Sequence, residues 1–157
     1  MLNINLDKIT DLDFKTREAY KTLRTNVQFC GNDVKIISLT SCVPNEGKSM
    51  VSFNLAISMA ETGKKVLFID ADLRKSVLIG RYKINKAIKG LTQYLSGVEQ
   101  LDDVRYSTNV KNMDLILSGP VPPNPAELLN NEKFTKLLET ERNMITLLLI
   151  HHQLVRL

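Results

Sequence analysis

The 157-residue sequence predicts an α/β fold, an open and mostly parallel sheet with helices on its faces. Three observations carry this. The apolar run Val34-Lys-Ile-Ile-Ser-Leu-Thr40 leads through a tight turn, Ser41-Cys-Val-Pro-Asn-Glu-Gly-Lys-Ser49, into a helix-like run from Met50 to Glu61. After Thr62-Gly63-Lys64 the chain turns apolar again, and Val66 to Ile69 is continuous, as in a parallel strand buried on both faces. Gly63 stands where the intervening helix must stop. The order strand, turn, helix, strand is that of one βαβ unit.

The other elements follow in chain order. Residues 1–12 read as a polar lead-in. Asp13 to Gln28 reads as a helix with Phe14, Ala19 or Tyr20, Leu23 and Val27 on one stripe and Asp11 or Asp13 as cap. Gly31-Asn32-Asp33 is a turn. Lys75 to Lys89 suggests a short helix and a loop, and Leu91 to Gly97 a helix with a glycine stop. Val104-Arg-Tyr and Met113 to Leu117 suggest strands. Ser118 to Pro125 is a rigid proline-rich loop, followed by Ala126 to Leu129 and a helix from Glu132 to Arg142.

The turn and the second strand carry the chemistry. A strand, a turn ending in Gly47-Lys48-Ser49 and a helix can wrap phosphates with backbone N–H groups. The helix dipole and the Lys48 ammonium add positive charge, and the Ser49 hydroxyl can reach Mg²⁺. The glycine that usually opens such a loop is replaced by Cys42. Asp70 and Asp72 end the second strand. Residues two apart in an extended segment share a side, so both carboxylates can face Lys48 and Ser49 at the C-terminal edge of the sheet.

The bulk numbers exclude several classes. With 21 basic and 17 acidic residues the formal net charge is +4, and no basic tract interleaved with aromatics points to nucleic acid. Cys30 and Cys42 lack metal-ligand spacing and fit a reducing cytoplasm. No apolar run approaches the ~20 residues of a spanning helix.

The combined motifs resemble those of the bacterial tyrosine kinases of capsular and exopolysaccharide synthesis. That family lies within the wider class of P-loop ATPases that includes the Mrp and MinD proteins. Ser41 to Ser49 is similar to the family's Walker A loop, in which Pro44, Glu46 and Gly47 recur. Phe68-Ile-Asp-Ala-Asp-Leu-Arg74 is similar to its Walker A′ motif. Leu117 to Leu129 resembles its proline-rich loop, and Glu18 to Asn26 its oligomerisation helix. The resemblance runs from about Thr16 to about Arg142. It implies a P-loop NTPase-like fold, ATP and Mg²⁺ as cofactors, and protein-tyrosine phosphorylation. It further implies that Pro44, Asn45, Glu46, Gly47, Lys48, Ser49 and Arg74 hold the nucleotide, that Ser49, Asp70 and Asp72 hold the metal, and that Lys48, Asp70 and Asp72 serve catalysis. Glu18, Lys21 and Arg24 would join subunits, although the family has arginine where Lys21 stands. A membrane adaptor protein is the implied activator. The implied location is the cytoplasm, at the inner face of the membrane through that partner.

The family pattern breaks after residues 1–142. A Walker B strand of the form Tyr-Asp-Tyr-Ile-Ile-Ile-Asp-Thr-Pro-Pro is expected, whereas Asn143 to Leu157 contains no carboxylate. Codons allowed for Asn143 to Val155, read two bases out of register, spell Tyr-Asp-Tyr-Ile-Ile-Ile-Asp-Thr-Pro-Pro-Val-Gly. Several codons in that spelling are a matter of choice; the aspartate spanning the Met144 and Ile145 codons is required by the code. Residues 143–157 are therefore expected to be a frame-shifted tail on a kinase domain truncated within Walker B, with the lost aspartate straddling Leu149 and Ile150. Met144 to Ile150 is apolar enough to fill the vacated slot as a strand. The expected protein is impaired; a MinD- or Mrp-type ATPase or a non-catalytic interaction module are the alternatives. His151 and His152, adjacent and on opposite faces of any strand, do not read as a metal pair.

Overall fold

In the computed structural model the described residues are 2–6, 9, 11–31, 33–84 and 87–150, the last five as backbone only. They run in the order β1 (Leu2–Ile4), α1 (Phe14–Phe29), β2 (Ile36–Leu39), α2 (Lys48–Ala60), β3 (Val66–Ala71), α3 (Leu78–Arg81), α4 (Leu91–Leu95), α5 (Leu101–Val104), β4 (Arg105–Thr108), β5 (Met113–Ile116), α6 (Pro125–Leu129), α7 (Glu132–Thr140) and β6 (Ile145–Ile150).

The strands form one sheet in the order β1-β4-β5-β3-β6-β2. Every neighbouring pair is parallel except β4 with β5. The two strands of the phosphate-loop unit are thus separated by β6, which pairs with β2 on one side and β3 on the other. The expectation that residues 144–150 fill a central slot is met by the backbone. His151 and His152 lie outside the described residues.

Alternation along β3 divides the core in two. Val66 and Phe68 join a cluster with Phe53, Leu55 and Met59 of α2, while Leu67, Ile69 and Ala71 join Leu91 and Leu95 of α4 and Leu137 of α7. A period of two along a strand produces this division, and all six β3 residues are buried because both faces are covered. On the α2 side the Phe53 ring meets Phe68 edge-on at 5.2 Å and Tyr82 at 4.4 Å. Gly63, at φ +84°, turns the chain out of α2 and into β3.

Two stretches differ in kind from the sequence reading, and several helix and strand ends shift by one or two residues. The lead-in forms β1, an edge strand whose Leu2 pairs with Tyr106, and Ile4 and Leu6 are buried. Val104 closes α5, and β4 begins one residue later at Arg105. Asp13 is the α1 cap, accepting the Thr16 N–H at 2.9 Å. No α1 residue is fully buried: Tyr20 and Val27 pack on the core, but Phe14 of the expected stripe is 80% exposed.

Candidate functional site

The turn between β2 and α2 is shaped by two residues in the left-handed region, Asn45 (φ 65°) and Gly47 (φ 86°). Asparagine tolerates that backbone and glycine favours it, so the chain folds tightly enough to aim its N–H groups inward. Gly47 is the N-cap of α2 and supplies no side-chain cap. Gly47 thus puts no cap side chain over the first turn of this 13-residue helix, which begins at the turn. Glu46 folds back, its Oε2 accepting from the N–H groups of Cys42 (3.1 Å) and Val43 (3.4 Å). Glu46 thus braces the loop from within.

β3 ends beside this turn. The Lys48 ammonium donates to Asp72 Oδ2 at 3.1 Å, with the two side chains 10% and 7% exposed. Asp72 Oδ1 accepts the Lys75 N–H at 3.1 Å, which fixes the turn that follows. Asp70 lies fully buried beneath: its Oδ1 accepts the Asp72 N–H at 3.2 Å and its Oδ2 accepts the Ser76 hydroxyl. Burial pushes the Asp70 carboxyl up to about 7, against the opposing pull of the Ser76 hydroxyl and the Asp72 N–H. The amine at 48 and the acids at 70 and 72 therefore meet at one edge of the sheet. A cavity of about 350 Å³ opens over Lys48 and Asp72, bounded also by Pro44, Asn45, Gly47 and Ser49; Asp70 and Glu46 do not border it.

Residues 34–150 match the AAA domain family. The kinase domain of the Escherichia coli tyrosine kinase ETK superposes with a TM-score of 0.83 at 30% identity, over 99% of this chain and 71% of that one. The chain belongs to the bacterial tyrosine-kinase family. Within that family, tyrosine-protein kinase CpsD of Streptococcus agalactiae is 46% identical over 136 residues, 87% of this chain and 59% of the relative. The chain thus spans 59% of the length of that curated kinase. MinD of Pyrococcus horikoshii, solved with Mg-ADP, superposes less closely, with a TM-score of 0.60 at 26% identity over 73% of this chain and 47% of that one.

Not every residue assigned by the kinase resemblance lies in the cavity. Arg74 is exposed and does not border it; Lys75 and Arg81 do. On α1, Glu18 pairs with Lys21 at 2.7 Å on the surface. Arg24 instead reaches into the same chain, donating to the Ser58 carbonyl at 2.6 Å and its hydroxyl at 3.2 Å. Ser76, Lys75 and Arg81 escaped the sequence reading. An aspartate three residues before Lys75 is the local signal for the Asp72 turn, but nothing local announces Ser76 or Arg81.

Proposed function

We propose that the chain is the nucleotide-binding part of a protein-tyrosine kinase of capsular or exopolysaccharide synthesis, with ATP and Mg²⁺ at the cavity above Lys48. The observation that carries this reading is the Lys48–Asp72 contact beside buried Asp70, at the mouth of the β2–α2 turn. The donor set suits a metal-bound polyphosphate: a helix N-terminus that begins at a glycine, an ammonium, a hydroxyl at Ser49 and two carboxylates at one edge. Mg²⁺ bound there supplies charge neutralisation across the phosphates. The backbone of 44–47 cradles the phosphates, Lys48 exchanges its Asp72 partner for them, and Ser49 and Asp72 offer oxygen ligands. Once Ser76 turns its hydroxyl away, Asp70 Oδ2 receives the proton of the tyrosine hydroxyl as the tyrosine oxygen bonds to the terminal phosphorus and ADP leaves. A carboxyl held near 7 is matched to that task. Positioning and charge supply most of what phosphoryl transfer requires.

Residues 143–157 are read as the displaced Walker B segment, which leaves the kinase without the acid that its central strand would carry. Turnover is accordingly low. Among the described residues no helix is long and apolar enough to cross a membrane. The proposed location is the cytoplasm, at the inner face of the membrane beside an adaptor protein, with Glu18, Lys21 and Arg24 near a subunit contact. The closer match of the kinase domain, compared with MinD, favours tyrosine phosphorylation over a plain ATPase.

Labelled ATP with Mg²⁺ should bind the chain, and Lys48→Met should abolish that binding. Equal binding by both proteins would remove the nucleotide reading. Tyrosine phosphorylation by the frame-restored protein, with hydrolysis alone as the contrary result, separates kinase from ATPase. A genomic read across codons 140–157 decides the origin of the tail.

A further inference from the structure

The cavity over Lys48 has a second wall. Besides the phosphate loop it is bounded by Lys75, Val77 and Arg81, which follow Asp72 in the chain. Lys75 and Arg81 are exposed cations, and among the described residues neither side chain has a carboxylate partner. Their backbones are nonetheless fixed. The Lys75 N–H is bonded to Asp72, fully buried Leu78 begins α3, and Tyr82, next to Arg81, packs on Phe53. Asp72 already opposes Lys48, so the surplus positive charge of the cavity resides in Lys75 and Arg81.

Their position along a bound triphosphate follows from the chain. In loops of this kind the backbone N–H groups hold the inner phosphates and the lysine reaches the outer two. Lys48 points its ammonium at Asp72, so the segment beginning at Asp72 stands at the outer end. From this arrangement, which rests on the nucleotide reading above, we infer that Arg81, assisted by Lys75, binds the terminal phosphate and makes the site prefer a nucleoside triphosphate to a diphosphate. Arg81 offers a planar fork suited to two phosphate oxygens, and Lys75 a point charge. The Walker A′ motif ends at Arg74, which is exposed and does not line the cavity, so this role falls outside the motif.

The test is equilibrium dialysis of the 157-residue chain with labelled ATP and, separately, labelled ADP, each with Mg²⁺. Arg81→Ala should weaken ATP about tenfold and ADP less than about twofold, as expected for loss of one charge-assisted contact to the outer phosphate. Arg81→Lys should recover part of the loss, and Lys75→Ala should show the same selectivity at smaller size. Retained ADP binding shows that the loop is intact in each variant. Unchanged ATP binding in Arg81→Ala, or equal losses for both nucleotides, overturns the inference while leaving the nucleotide site standing. A wild-type chain that binds neither nucleotide overturns both.

Discussion

β3 and β6 lie side by side and parallel, paired from Val66 with Ile145 to Ala71 with Ile150. One reads Val-Leu-Phe-Ile-Asp-Ala and the other Ile-Thr-Leu-Leu-Leu-Ile. Both satisfy the backbone of a central strand, because any short run of apolar, largely branched residues does so. Only β3 delivers acids to the edge where Lys48 waits. The position facing Asp70 across the ladder is Leu149. A strand is a property of a run; a site is a property of one register position. The backbone therefore accepts a sequence in β6 that brings no acid to that edge.

Two substitutions probe the packing side of this contrast. Phe68→Ala should lower stability by about 3–5 kcal/mol, since the fully buried ring is packed between the sheet and Phe53. Ile145→Ala, at the start of β6, should cost about 2–3 kcal/mol, toward the lower end of the usual range for such truncations. Urea unfolding measures both. A larger loss from Ile145→Ala would reverse the ranking of the two strands and make β6 the more heavily used.

The chemical side is probed by returning an acid to β6. Leu149→Asp puts a carboxylate at the register position of Asp70. In EDTA it should lower the melting temperature, because a second carboxylate beside a buried one is costly. With Mg²⁺ and ATP it should recover that loss and raise tyrosine phosphorylation by about 10²–10³, the usual worth of one well-placed electrostatic group. A variant that is destabilised equally with and without Mg²⁺ and ATP would show that β6 lies too far from the metal site to matter.

The same contrast explains what could be read from the sequence. β2, α2 and β3 were legible because each is a periodic or continuous apolar run bounded by a glycine or a charge. Lys48 and Asp72 were legible because each sits at a fixed offset from such a run, and the fold then brought them to 3.1 Å. β1 was not: Leu2-Asn-Ile4 is too short to show a period, and its reason for being a strand is Tyr106, far along the chain. Arg81 and Ser76 were hidden for a similar cause. They reach the site because the chain folds back after Asp72, and no spacing encodes that return. Arg74 is the converse, a motif residue that the turn carries outward.

The last comparison concerns Asp70 itself. Its carboxyl is held near 7 in the fold and has a value of 3.8 as an ordinary aspartate, burial being the main cause. Below 3.8 folded and unfolded chains both hold the proton, and Asp70 adds no pH dependence. Between 3.8 and about 7 the unfolded chain releases it while the fold retains it, so stability falls as pH rises; above that both are ionised and the slope ends. Asp70→Asn cannot ionise; its one amide oxygen still accepts the Asp72 N–H, and its NH2 donates to the Ser76 oxygen as a protonated carboxyl would. In EDTA the variant should match the wild type near pH 4 and be the more stable at pH 8, with the difference opening across that window. Unfolding curves at several pH values measure it. A constant difference at all pH values would mean that Asp70 ionises as freely as an aspartate in water, and the burial that separates β3 from its apolar neighbour would have no electrostatic consequence.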